Sequence, residues 1–121
     1  MYSRCVRGPA MIRVTIRKVS GSIREMLVTG HGSGIKGSDI VCSAVSAVSQ
    51  TALCGLLHFG SQEVRWRREN GLLSIQVDEK APRERAALLD AILTTAYLGI
   101  REIASRYPER VAVDFIEAQG G

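Results

Sequence analysis

Aromatic residues are scarce, 5% of the chain with a single Trp, and there are only three prolines, three cysteines and two histidines. Three cysteines (Cys5, Cys42 and Cys54) are an odd count, which does not make a disulfide framework. A reducing compartment, the cytoplasm, is therefore expected. No apolar run approaches the roughly 18 residues of a membrane span, and no secretory-type apolar stretch opens the chain. The pairings that announce zinc, Cys-x-x-Cys and His-x-x-x-His, are missing, so neither metal nor cofactor is expected. What remains is ordinary for one globular domain: 121 residues, 45% hydrophobic and 23% charged. The net charge is +4. Arg4 and Arg7 supply two of those charges, and the +2 left for the remainder is too mild to argue for nucleic acid.

Residues 1–10 follow neither a strand nor a helix period and read as a flexible tail or upstream extension, with Cys5 incidental. Residues 11–121 read as one domain. Ile12, Val14 and Ile16 alternate with Arg13, Thr15 and Arg17, the pattern of a strand with one buried face. Ser20-Gly21-Ser22 is a turn, and residues 23–29 return as a second strand. A glycine-rich loop, residues 30–38, leads to a helical pattern over 40–58, where Val41, Val45, Val48, Ala52 and Leu56 recur at three- and four-residue steps. Gly60 is a stop signal. Residues 64–67 and 73–77 form a hairpin about Asn70-Gly71. Pro82 opens a second helix whose apolar stripe is Leu89, Leu93, Ala96, Ile100, Ile103 and Tyr107, and Pro108 closes it. Val111, Val113 and Phe115 mark a fifth strand. The order ββαββαβ predicts an α/β (α+β) fold: two long helices on one face of a five-stranded mixed or antiparallel sheet, the other face open to solvent or to a dimer partner.

The glycine loop carries the chemistry. It places His31 at a strand end, Asp39 at a helix start and Cys42 in the first helical turn. With Asp39 as N-cap, Cys42 is the third helical residue, where unpaired N–H groups and the helix dipole favour thiolate. Cys42 has two readings, a small core hydrophobe or a nucleophile paired with an imidazole. His58 lies roughly 24 Å further along the helix, so His31 is the one imidazole in the chain that can serve Cys42. Cys54, about 18 Å along, cannot pair with Cys42 and reads as core packing. Asp39 either caps the helix or orients His31. Ser43 and Ser46 line a pocket or pack. His58 suits a C-terminal dipole contact. Gly32–Gly37 spells G-x-G-x-x-G, but a dinucleotide site needs a parallel βαβ unit, and the strand before this loop belongs to a hairpin. Arg65, Arg67 and Arg68 around Trp66 offer a contact to RNA; set against it is a solvated strand face with Trp66 in the core.

Gly30-His31, the glycine loop, Asp39-Ile40-Val41-Cys42-Ser43-Ala44-Val45-Ser46 and Gln50-Thr51-Ala52-Leu53 together resemble the ribosomal-processing cysteine protease family, Prp. The resemblance runs from Met11 almost to the C-terminus. Gly32, the Ser33-Gly34-Ile35 run and Ser43 depart from the family's commoner residues. The resemblance implies a cytoplasmic, homodimeric thiol protease that removes a short N-terminal extension from a large-subunit ribosomal protein, a step of ribosome biogenesis. It gives His31 the role of catalytic base and Cys42 that of nucleophile, and it implies no membrane and no direct nucleic-acid partner. The alternative reading is a non-enzymatic ribosome-assembly or RNA-binding module.

Overall fold

The computed structural model describes residues 12–30 and 40–118. The expected tail, Cys5, His31, the G-x-G-x-x-G run and Asp39 lie outside the described residues. Five strands, β1 (Ile12–Val19), β2 (Ser22–Thr29), β3 (Val64–Glu69), β4 (Leu72–Val77) and β5 (Val111–Ala118), form one mixed sheet in the order β3-β4-β2-β1-β5. Helices α1 (Ile40–Gly60) and α2 (Arg83–Arg106) are the two long helices. The element order and the single mixed sheet are those expected from the sequence.

Alternation explains how the layers meet. Ile12, Val14 and Ile16 of β1, Met26 and Val28 of β2, and Leu73, Ile75 and Val77 of β4 are all buried. They form one cluster with Val45, Leu53 and Leu56 of α1 and Leu89, Leu93 and Ile100 of α2. Several outward residues between them are polar and paired. Arg13 bonds Asp114 at 3.1 Å, and Arg17 bonds Glu25 at 2.8 Å. Gln76 donates to the same Glu25 carboxylate at 3.0 Å. β1 and β2 turn through Ser20 and Gly21, both at positive φ (50° and 87°), which suits the twist of a two-residue hairpin. Their ladder shifts register between Arg17 and Lys18. Close to that irregularity Asp90 of α2 accepts a 2.7 Å hydrogen bond from the Ile23 backbone N–H, which ties helix to hairpin.

Several expectations need correction. Trp66 is not in the core. It sits on an edge strand and is 46% exposed, because its cross-strand neighbour Ile75 is covered by the helices while no described strand flanks β3 on its outer side. Cys54 is exposed rather than packed. Tyr107 is the C-cap residue of α2 and is exposed, not part of its buried stripe. Gly60 ends α1 without a left-handed cap. Its φ is −160°, and a Cβ there would meet Leu89 and Arg85 at 3.2 Å, so close approach to α2 is what demands glycine. Finally, the stretch Ile40–Glu63 is long and apolar enough to cross a membrane by length and composition alone. Single-residue runs hid this, because serines and threonines interrupt the apolar residues without adding charge. One stripe of α1 packs into the core described above.

Two predictions follow from this packing. Asp90→Ala removes the charge-assisted bond to Ile23 and leaves that N–H unmatched, so urea unfolding will show a loss of about 2 kcal/mol. Burial works against ionisation of Glu25, but the hydrogen bonds from Arg17 and Gln76 outweigh it and hold its carboxyl below the ordinary 4.5. A lowered folded value means that ionised Glu25 stabilises the fold above that ordinary value, and that the contribution fades as pH falls through the folded one. Glu25→Gln will therefore lower stability near neutral pH by about 1 kcal/mol or less, given partial exposure of the pair, with the deficit shrinking in acid melts.

Candidate active site

β2 hands the chain to the site. Its last residue, Thr29, pairs with Leu72, the first residue of β4. The next residue, Gly30, has φ 91°, a left-handed value that costs a side-chain-bearing residue roughly 1–2 kcal/mol. Its N–H donates to the Gly71 carbonyl at 3.1 Å, so the chain leaves the sheet against the β3–β4 turn. Gly71 is itself at φ 79°. Two glycines from distant parts of the sequence thus meet back to back at the mouth of the loop.

The helix resumes at Ile40, which makes Cys42 the third residue of α1. N–H groups in the first turn of a helix have no carbonyl partner within it, and the positive end of the dipole lies there. Both favour an anionic sulfur or a developing oxyanion. Cys42 is half-buried, with one side packed on the core cluster.

Helical spacing sets the flank on which Cys42 sits. A Cβ added at Gly99 would lie 3.7 Å from Val48, and one added at Gly55 would lie 3.7 Å from Ile92, so that side of α1 faces α2. Gln50 is on the opposite flank, where its side-chain oxygen accepts a 2.7 Å hydrogen bond from Arg68 of β3. Cys42 and Ser46 fall between the core stripe and Gln50 at 100° per residue. The candidate nucleophile therefore lies on the Gln50 side of the core stripe, away from the flank that faces α2. Sequence reasoning missed the Arg68–Gln50 and Gly30–Gly71 hydrogen bonds. These bonds join elements that are distant along the chain, and no local pattern signals them.

The other expected residues distribute as follows. Ser43 is exposed and Ser46 half-buried on α1. His58 is in the last turn of α1, at the far end from Cys42, edge-on to Phe59 with ring centroids 4.7 Å apart; it makes no capping hydrogen bond. β2 pairs antiparallel with both its neighbours, so no parallel βαβ unit surrounds the glycine loop. Among the described residues no group of three or more His, Cys, Asp or Glu side chains is arranged to hold a metal ion.

Among the described residues, Cys42 is the thiol that stands in the first turn of a helix, where thiolate is favoured. Residues 11–112 match the family model of the cysteine protease Prp, and the chain belongs to that family. It is a cysteine protease. A search of curated proteins finds no match. Among solved structures, SMU.848 from Streptococcus mutans is 26% identical, with a TM-score of 0.77 over 90% of this chain and 97% of that one. The essential ribosomal processing protease Prp from S. aureus, in complex with a substrate peptide, is 22% identical with a TM-score of 0.75, covering 87% of this chain and 99% of the other. The same protease with a covalently linked product peptide is 24% identical at a TM-score of 0.74. At those identities the S. aureus structures show the shared fold.

Proposed function

We propose that this protease removes a short N-terminal extension from a large-subunit ribosomal protein in the cytoplasm, by a Cys42–His31 dyad. The position of Cys42 at the third residue of α1 carries the reading, since the helix start favours the thiolate that peptide cleavage requires. The substrate peptide bound to the S. aureus relative supports a ribosomal protein as substrate. In the proposed sequence His31 takes the Cys42 proton, and the sulfur attacks the scissile carbonyl. Backbone N–H groups about Ser43 receive the oxyanion. His31 then protonates the departing amine, the C–N bond breaks, and an acyl-enzyme remains. Water, deprotonated by the same imidazole, attacks the thioester and releases Cys42. Asp39 either orients His31 or caps the helix.

The enzyme is proposed to act as a homodimer. α1 has no charged residue from Ile40 to Gly60, and with α2 it forms an open apolar groove of about 580 Å³ that includes Val48, Gly55, Phe59, Ile92 and Gly99. Phe59 and Leu98 are 52% and 42% exposed. Depletion of charge at the centre of a patch is the mark of an interface with another protein surface, here a second copy of the same helices. Thr95, exposed in this groove, touches none of the proposed catalytic residues. Thr95→Arg will shift the sedimenting species from dimer toward a 13.1 kDa monomer; a monomer at every concentration of the unmutated chain would remove the proposal.

Incubation with the ribosomal protein bearing its extension, read by mass spectrometry, tests the cleavage. Cys42→Ala and His31→Ala will each reduce cleavage by on the order of a thousandfold or more, with folding retained in thermal melts. An intact substrate after incubation with the unmutated protein would overturn the reading.

A further inference from the structure

β3 is an edge strand, and its sequence VRWRRE sets three guanidinium groups against one carboxylate. Charge on an edge is ordinary, because it discourages pairing with other chains. An exposed indole ring is not accounted for in that way, since a flat apolar surface invites association. Trp66, the single Trp of the chain, is 46% exposed, and the guanidinium of Arg68 lies 5.9 Å from its ring centroid. On the other face of the strand, Arg65 and Arg67 border a hollow of about 320 Å³ whose floor includes Leu27, Ser74 and Gln76. Arg67 is held by Glu69 at 3.0 Å, while Arg65 has no hydrogen-bond or ion-pair partner among the described residues. Cations further across the same sheet face are matched, Arg13 by Asp114 and Arg17 by Glu25 and Glu79. The modest net charge of the whole chain thus conceals a local excess at β3.

We propose that the β3 edge binds a single-stranded polynucleotide: Trp66 stacks a base, and Arg65 and Arg67 meet the phosphates on the opposite side of the strand. Both faces are within reach of one ligand because, among the described residues, no strand flanks the outer side of β3. Aromatic stacking beside guanidinium groups is the combination that holds unpaired bases. A double helix offers no free base face to the ring. An acidic peptide satisfies the arginines but leaves the indole without a role. The hydroxyl of Ser74 and the amide of Gln76 on the floor of the hollow supply hydrogen-bond partners for a ribose or a base edge. The site shares no residue with the proposed dyad, so the proposal stands apart from the cleavage reading.

Fluorescence polarisation with labelled 12-nucleotide RNA and DNA strands of one sequence tests this. Binding of either strand, weakened roughly tenfold by Trp66→Ala and largely restored by Trp66→Phe, is the expected result. The tighter of the two strands identifies the biological source. Arg65→Gln, an exposed side chain with no partner to orphan, will lower the slope of log affinity against log salt by roughly 0.7. Cys42→Ala will bind the strand as the unmutated protein does, and Trp66→Ala will still cleave peptide, so the two readings fail separately. No binding at low salt, binding indifferent to Trp66 and Arg65, equal affinity for a duplex, or equal affinity for an oligoglutamate peptide would each overturn the proposal.

Discussion

The pairing of β2 with β4 is the interaction on which the site depends. It brings the Asn70–Gly71 turn, remote along the chain, alongside the end of β2, where Gly30 departs toward the cysteine helix. Its register is fixed by burial. Met26 faces Ile75 and Val28 faces Leu73, and all four are buried. Slippage by one residue would turn the apolar set of one strand into solvent and its polar set into the core. The hydrophobic seam under the helices thereby fixes where the chain exits the sheet. That exit determines which residues can meet the first turn of α1.

Two-fold and 3.6-fold periodicity made most of the architecture legible from the residues. The alternation of β1 and β4 and the stripes of both helices are local patterns, and burial of one face per element follows from them directly. The element order was legible, and with it one five-stranded sheet, mixed or antiparallel. Strand order was not legible, because β3-β4-β2-β1-β5 depends on which edges meet rather than on any local signal. The misplacement of Trp66 has the same origin. Alternation put it on the helix-facing side, and only knowledge that β3 lies at the edge reveals that no helix reaches far enough to cover it. Cys54 was misread because Ala and Leu neighbours along a helix do not report which azimuth the residue occupies.

Within the site, the placement of Cys42 followed from a single observation, the change from a glycine loop to a helical repeat at residue 40. The flank of α1 that carries it was hidden. It became visible through Gln50 and Arg68 on one side and the close approach of Gly55 to Ile92 and of Val48 to Gly99 on the other. The same helix serves three neighbours at once: the core along one stripe, α2 along the next, and the hairpin along a third. The remaining face, which carries Ser43, Ala47, Thr51, Cys54 and His58, is exposed and still bears no Asp, Glu, Lys or Arg. That lack of charge explains why α1 passes a length and hydropathy test for membrane spans.

The parallel pairing of β1 with β5 has a temporal meaning. Arg13 and Asp114, bonded across that pair, are separated by 101 residues. During synthesis β1 waits for nearly the whole domain to emerge before its second neighbour exists. Until then its hydrogen-bonding groups on that side, and the apolar residues beneath them, stand open to other nascent chains. Closing so long a loop is also entropically slow compared with forming the two hairpins. The last strand is therefore the natural place for a delay in maturation of the enzyme, and for the rescue of that delay by chaperones that shield strand edges.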